Sequence, residues 1–395
     1  MNSIFSDFQF ISMRTRDKVA MFLLGAINNL PYVIGIASAQ RIVKNYNKPS
    51  YLGLVLWANT LSGLFARFIN TWLASLSVPY EVNFCANAAS MLFGLLGCAF
   101  SPNFPFTLVC IFFIGFSSSF GESVLLCYIT IRRKQYLLTS WSSGTGMAGI
   151  IGASYSLICS MFTIAYFWSF IAVSPVVLVY IWAFFGVIYK SPDEPDDSRS
   201  VPLIGENSDK ERAEIGQLDD QPVSFCDFSI LRPVWWFMFN CGAVYFLEYV
   251  IQGAFVDCCL TKEQNKKYKY MFPLLNLMYQ IGVFISRSSL ALFKFPWVGW
   301  LTIGQLCFFV AWSIQPFIHY LPVWGLISSM ICVGLFGGCS YVNSFYLIMN
   351  SPTLNPKQKE MVTSWNAFFI SIFISLSTIF TLIAENTFLS GKLSE

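Results

Sequence analysis

The chain has 395 residues, of which 55% are hydrophobic, 18% aromatic and only 11% charged, against about 25% charged in an ordinary soluble domain. The net charge of +3 offers no basic face for nucleic acid. The apolar residues are not gathered into one core, which excludes an ordinary soluble globule. They fall into about eleven runs of membrane-spanning length, roughly 20 residues each at a rise of about 1.5 Å per residue. The expected fold class is an all-α polytopic membrane protein.

The first run, at about 19–39, follows Arg14, Arg16 and Lys18 and ends in Ala37-Ser38-Ala39. That outline is a signal peptide's, but the run exceeds the usual ~7–15 apolar residues, so an uncleaved anchor is expected. Asn28 and Asn29 lie in it beside Pro31. The second run, at about 51–74, carries Arg67 near its inner end; the third and fourth are expected at about 82–100 and 104–130, the fourth with Glu122. The fifth, at about 137–160, contains Gly144-Thr145-Gly146-Met147-Ala148-Gly149, a literal G-x-G-x-x-G. That spelling means a dinucleotide only after a strand, at the mouth of a helix in a βαβ unit, and nothing of that kind precedes it. Gly144, Ala148, Gly152 and Ser156 instead recur every four residues, the spacing of a close helix–helix contact in a membrane. A sixth run is expected at about 163–189.

Residues 190–232 break the apolar pattern with a Pro-, acid- and Ser-rich stretch, expected to be a disordered cytoplasmic linker. Within it Pro202-Leu203-Ile204 resembles a dileucine-type signal for sorting adaptors. Arg199 stands where the strict form has an acidic residue, and an ordinary linker dipeptide is the other reading. Five further runs are expected at about 233–257, 269–292, 297–318, 321–349 and 361–385. The organisation is thus an N-terminus at 1–18, a six-helix bundle at 19–189, the linker at 190–232, a five-helix bundle at 233–385 and a tail at 386–395. Of the Lys and Arg residues outside the spans, 14 fall on segments shared with the N-terminus and linker and eight on the opposite side. The bias places the N-terminus in the cytoplasm and the tail in the lumen.

The halves show matches offset by six spans: GFSSSFGESV from Gly115 against GLFGGCSYVN from Gly334, LTSWS at Leu138 against VTSWN at Val362, and Arg67 against Arg287. Parallel six-helix halves around a midplane cavity describe the major facilitator architecture, here lacking a twelfth helix.

Arg67, Glu122, Glu248 and Arg287 are charges well inside spans, where an ionisable group is expensive and usually faces a bundle interior or an aqueous path. Helical spacing places Tyr245, Glu248 and Gln252 on one face, and Asn276, Gln280 and Arg287 on another; Tyr341 and Asn343 lie in the tenth run. Together with Asn28 and Asn29 these are the candidate residues of a solute or ion pathway. Static ion pairs and interhelical hydrogen bonds are the competing reading, as is snorkelling of the two arginines to the interface. The single histidine, His319, excludes His-box and H-E-x-x-H chemistry. The 12 cysteines contain no C-x-x-C, so no metal and no cofactor is indicated, and no catalytic residue is assigned.

FLLGAINNLPYVI, GFSSSFGES, SWSSGTGMAG, YFLEYVIQG, YQIGVFISRSSL and GLFGGCSYVNSF resemble the battenin family of lysosomal and vacuolar membrane proteins, over about residues 19–385. The linker departs from the family, and the C-terminus lacks its prenylation-type Cys ending. The resemblance implies a major-facilitator-like fold in a late endosomal, lysosomal or vacuolar membrane. It also implies a role in luminal pH, basic amino acid balance and glycerophosphodiester clearance. The expected partners are a small polar solute, protons, the bilayer and sorting adaptors, with no nucleic acid. Arg67 and Arg287 are the candidates for an anionic group, Glu122 and Glu248 for proton coupling or a cationic group. The rival reading is a membrane scaffold that organises trafficking without moving a solute.

Overall fold

The structure, a computed structural model, describes residues 2–48, 51–132, 134–162, 164–191, 224–225, 227–268 and 271–389. Leu203, Ile204, most of the linker, Cys226 and the last residues of the tail lie outside them. Among the described residues there is no β-strand. A helix satisfies every backbone N–H and C=O within itself, the condition that an apolar, membrane-length segment must meet.

The first half contains α1 (Asn2–Ala37), the short α2 (Ala39–Asn45), α3 (Leu52–Ser75), α4 (Tyr80–Ala99), α5 (Phe104–Arg132) and α6 (Gln135–Met161), then α7 (Tyr166–Ile171) and α8 (Val176–Ile181). The second half contains α9 (Trp235–Val250), α10 (Lys262–Lys267), α11 (Met271–Ser288), α12 (Val298–Ile318), α13 (Val323–Met349) and α14 (Pro356–Asn386). Local chemistry sets several ends. Asn355 and Gln358 close a capping box at the start of α14, with Pro356 at its first position, where its missing N–H has no partner to lose. Thr261 and Gln264 do the same for α10.

Each expected run meets a helical segment, and two segments are interrupted. The sixth breaks at a turn between α7 and α8, where Pro175 precedes Val176, and α8 runs on as a π-helix at Trp182–Ile188. The seventh, α9, passes into a π-helix at Ile251–Phe255, which takes in Gln252. Seven helical segments are long and apolar enough to cross a membrane by length and composition, among the described residues. The segments outside that set are α3, α6, α9 and α11. They carry Arg67, the Ser/Thr/Gly-rich stretch of α6, Glu248 and Arg287. The polar residues sit on the inward faces of these helices, Arg67 and Glu248 being 7% and 1% exposed, while apolar side chains such as Phe65, Phe68 and Trp236 face outward.

Packing repeats between the halves. In the first, α1 packs along α6, and α3 and α4 along α5; in the second, α9 packs along α14, and α11 and α12 along α13. These are the same pairings six spans apart. The cross-contacts obey the same rule, α3 on α14 and α6 on α11. The first half is closed by a stack of Phe84 on Tyr180 and Phe184, with ring centroids 4.6 and 4.0 Å apart. The second is filled by Leu275, Tyr279, Trp312, Met330 and Val333, all buried. Trp168, Trp182, Trp236, Trp297, Trp300 and Trp324 stay exposed on the outside, as suits a surface facing lipid and its interfaces.

The G-x-G-x-x-G stretch lies where α6 is clasped between α1 and α11. A Cβ at Gly144 would stand 2.1 Å from the Phe22 carbonyl oxygen, and one at Gly152 2.6 Å from Val33 Cγ1, both on α1. Ala148, between them, is wholly buried. On the other side a Cβ at Gly146 would stand 2.8 Å from Phe284 Cα on α11. The small residues let both neighbours approach to backbone distance.

Candidate functional site

The contact between the halves is built around charge. Arg67 on α3 is 7% exposed. One terminal nitrogen pairs with the Glu122 carboxylate on α5. The other donates to the Ala367 carbonyl and to Ser371 Oγ on α14, both at 2.9 Å. Glu122 also accepts a hydrogen bond from the Tyr341 hydroxyl, on α13 of the other half. Removing two charges from water is compensated only by close geometry and by further hydrogen bonds. The pair has the close contact, and both Arg67 terminal nitrogens and both Glu122 oxygens are engaged, while Arg67 Nε has no partner.

Arg287, at the end of α11, is held differently. It donates to Thr145 Oγ1 at 2.6 Å and to the Tyr245 hydroxyl at 2.9 Å. Its guanidinium carbon lies 4.2 Å from the centroid of the Tyr341 ring. Its Nε is buried without a hydrogen-bond partner. Among the described residues no carboxylate lies within 4 Å of it. It is a partly buried cation whose direct contacts among the described residues are hydroxyls and an aromatic face.

A cavity of about 90 Å³ opens between these groups, lined by Asn29, Tyr32, Thr60, Arg67, Ser118, Ser119, Glu122, Tyr245, Tyr249, Arg287 and Ser371 among others. Both halves contribute, and almost every lining side chain is polar. Beside the cavity the halves are joined along one face. Asn70 donates to Ser364 at 3.0 Å, Thr71 and Ser364 hydroxyls lie 2.8 Å apart, Thr130 and Thr363 lie 3.2 Å apart, and Tyr80 donates to Glu360. This is the face that carries the α3–α4 turn and the start of α14.

The structure brings Asn29, Arg67, Glu122, Tyr245 and Arg287 to one cavity. Asn28 stands one layer behind: it donates to the Ser118 carbonyl at 2.7 Å and accepts from Asn87 and Tyr180. Glu248, 1% exposed, turns from the Tyr245 side toward α13. A Cβ at Gly337 would lie 1.7 Å from its Oε2, an oxygen with no hydrogen-bond partner. Gln252 reaches back to the Glu248 backbone carbonyl at 3.5 Å. Gln280 lies against Gly149. Asn343 accepts from the Phe295 N–H at 2.8 Å and donates to the Cys339 carbonyl at 2.9 Å, so it secures the loop before α12. Sequence reasoning does not single out Tyr32, Tyr249 or Ser371. Tyr249 is within reach of the helical spacing, four residues past Tyr245; Ser371 carries no such signal.

Comparison with known proteins points the same way. The family model described as CLN3 protein matches residues 19–390. Battenin of Dictyostelium discoideum is 31% identical, over 98% of this chain and 97% of its own. Protein btn1 of Schizosaccharomyces pombe is 28% identical, over 87% and 86%. Among solved structures, the major facilitator proton:xylose symporter XylE, bound to 6-bromo-6-deoxy-D-glucose, superposes with a TM-score of 0.62 at 10% identity, over 97% of this chain and 91% of its own. A bacterial homolog of the human lysosomal transporter Spinster, inward-facing and unoccupied, superposes with a TM-score of 0.57 at 14% identity, over 96% and 84%. At such identities the likeness establishes the fold, which is major-facilitator-like.

Proposed function

Because the chain belongs to the CLN3, or battenin, family and is a multi-pass membrane protein of major-facilitator-like fold, we propose that it transports a small polar solute across the membrane of an acidic organelle, lysosomal, late endosomal or vacuolar. It works by alternating access of its two halves around the central cavity. It acts as a transporter rather than an enzyme. The observation that carries the reading is Arg287, a partly buried cation with no carboxylate within 4 Å among the described residues, facing a polar cavity that both halves line. Arg67 is already neutralised by Glu122, so Arg287 is the group left to receive an anion, and the charge-assisted bonds it makes there are about twice as strong as neutral ones. A glycerophosphodiester fits this chemistry: one negative charge for Arg287, and hydroxyls for the Ser, Thr, Tyr and Asn side chains around it. The cavity, at about 90 Å³, is well below the ~300–1,000 Å³ of a typical ligand site. A solute therefore enters only when the halves part, and the hydrogen-bonded face from Asn70 to Ser364 is the contact that must open on one side.

Untargeted metabolite analysis of organelles purified with the wild-type chain, with Arg287→Gln, and without the protein tests the proposal. An anionic phosphodiester should accumulate in the second and third alike. If Arg287→Gln restores the wild-type profile, Arg287 is not a solute site. If no small solute distinguishes the three, the scaffold reading takes over.

A further inference from the structure

Tyr341 occupies a position that neither its residue type nor its place in α13 announces. Its hydroxyl donates to Glu122 across the boundary between the halves. Its ring lies under the Arg287 guanidinium, 4.2 Å from centroid to carbon, and packs against the rings of Phe345 and Tyr245, with centroids 4.9 and 6.2 Å apart. Tyr341 is 2% exposed. One side chain therefore touches the carboxylate of the Arg67–Glu122 pair and the unpaired cation of the cavity. A phenol that donates to a carboxylate becomes more electron-rich in its ring. A ring of that kind attracts a cation more strongly.

We infer that Tyr341 is the positioning residue that couples an anion on Arg287 to separation of the halves, an inference that rests on the transport reading above. With the cavity free of solute, Tyr341 lends Arg287 part of the negative charge of Glu122, and the same hydrogen bond ties α13 to α5. An anion bound at Arg287 replaces that compensation. The Tyr341–Glu122 bond then no longer contributes to balancing Arg287, and the tie between the halves weakens when the site is filled. Tyr341 does not itself hold the solute, because its hydroxyl is already engaged and its ring lies on the face of the guanidinium rather than at its donors.

The test is uptake of radiolabelled glycerophosphoglycerol by purified protein in liposomes, with binding followed separately by the melting shift that the same compound produces in detergent. Tyr341→Phe keeps the ring and removes the tie. Because coupling is reciprocal, its binding should be tighter and its KM no higher than wild type, while its maximal rate changes by about tenfold or more, a split that a merely structural defect would not give. 3,5-Difluorotyrosine at position 341 preserves shape and alters only the acidity of the hydroxyl and the electron density of the ring. It carries the test should Tyr341→Phe fail to fold, and it too should move the maximal rate without raising KM. Maximal rates equal to wild type in the folded variants would overturn the inference, as would a KM raised in step with any loss of rate. Arg287→Gln separates this from the underlying reading. If Arg287→Gln still binds and carries the compound, the anion site itself is wrong, whatever Tyr341 does.

Discussion

A buried arginine must be balanced, and the two central arginines are balanced in different ways. Arg67 has a carboxylate, a carbonyl and a hydroxyl, whereas Arg287 has hydroxyls and a ring. Glu122→Gln strips Arg67 of its counter-ion, and removing one partner of a buried pair costs about 3–5 kcal/mol. Its melting temperature in detergent should fall clearly. Glu248→Gln should not behave so, because Glu248 has no ion-pair partner within 4 Å among the described residues and its Oε2 receives no hydrogen bond. We propose Glu248, one of the two sequence candidates for proton coupling, as the group that would load from an acidic lumen and unload to a neutral cytoplasm. Glu248→Gln should therefore fold and sort normally yet move solute at a rate that no longer depends on pH, while Glu122→Gln keeps a pH-dependent rate. An unaltered pH profile in Glu248→Gln would make that side chain a packing element instead. That the four charges turn away from lipid was legible in the sequence, since an ionisable group there is expensive. Their pairing was not, because Arg67 and Glu122 are 55 residues apart and Glu122 and Tyr341 are 219 apart, and no local pattern spans such distances.

At the scale of elements, the small-residue stripe of α6 sets how close α1 can come. Ala148 is wholly buried, between Gly144 and Gly152, where a Cβ would meet α1 at 2.1 and 2.6 Å. Ala148→Leu should lower thermal stability by about 1–3 kcal/mol, the usual range for overpacking. An unchanged melting temperature would mean that the face is open. The sequence spacing pointed to a close helix contact that could also line a cavity, and Gly144 and Gly152 lie against α1. The sequence was a poor guide to the π-helices at Trp182–Ile188 and Ile251–Phe255. A π-turn changes no residue type and no mean hydropathy, only the rotation of the residues beyond it. The second begins three residues after Glu248 and takes in only Gln252 of the face drawn through Tyr245, Glu248 and Gln252; Gln252 folds back on the backbone. Tyr245 and Glu248 lie before it on regular helix, where Tyr245 meets the cavity and Glu248 meets Gly337.

For the molecule as a whole, the repeat of pairings six spans apart is what makes two halves that can rock about a shared site. The matching fragments offset by six spans already implied it. Sidedness is set by the proposed eleven crossings. A cysteine introduced within residues 195–220 should be labelled from the cytoplasm, and one within 388–395 from the lumen; labelling of both from one side would contradict eleven crossings. The central claim is that Arg287 receives an anionic solute which the protein carries. The most direct measurement is uptake of a radiolabelled anionic glycerophosphodiester into liposomes that contain the purified chain, across a pH gradient. The wild type should fill the vesicles well above the protein-free rate, and folded Arg287→Gln should not exceed that rate. Equal uptake by wild type and Arg287→Gln, or wild-type uptake no faster than empty vesicles, would contradict the account.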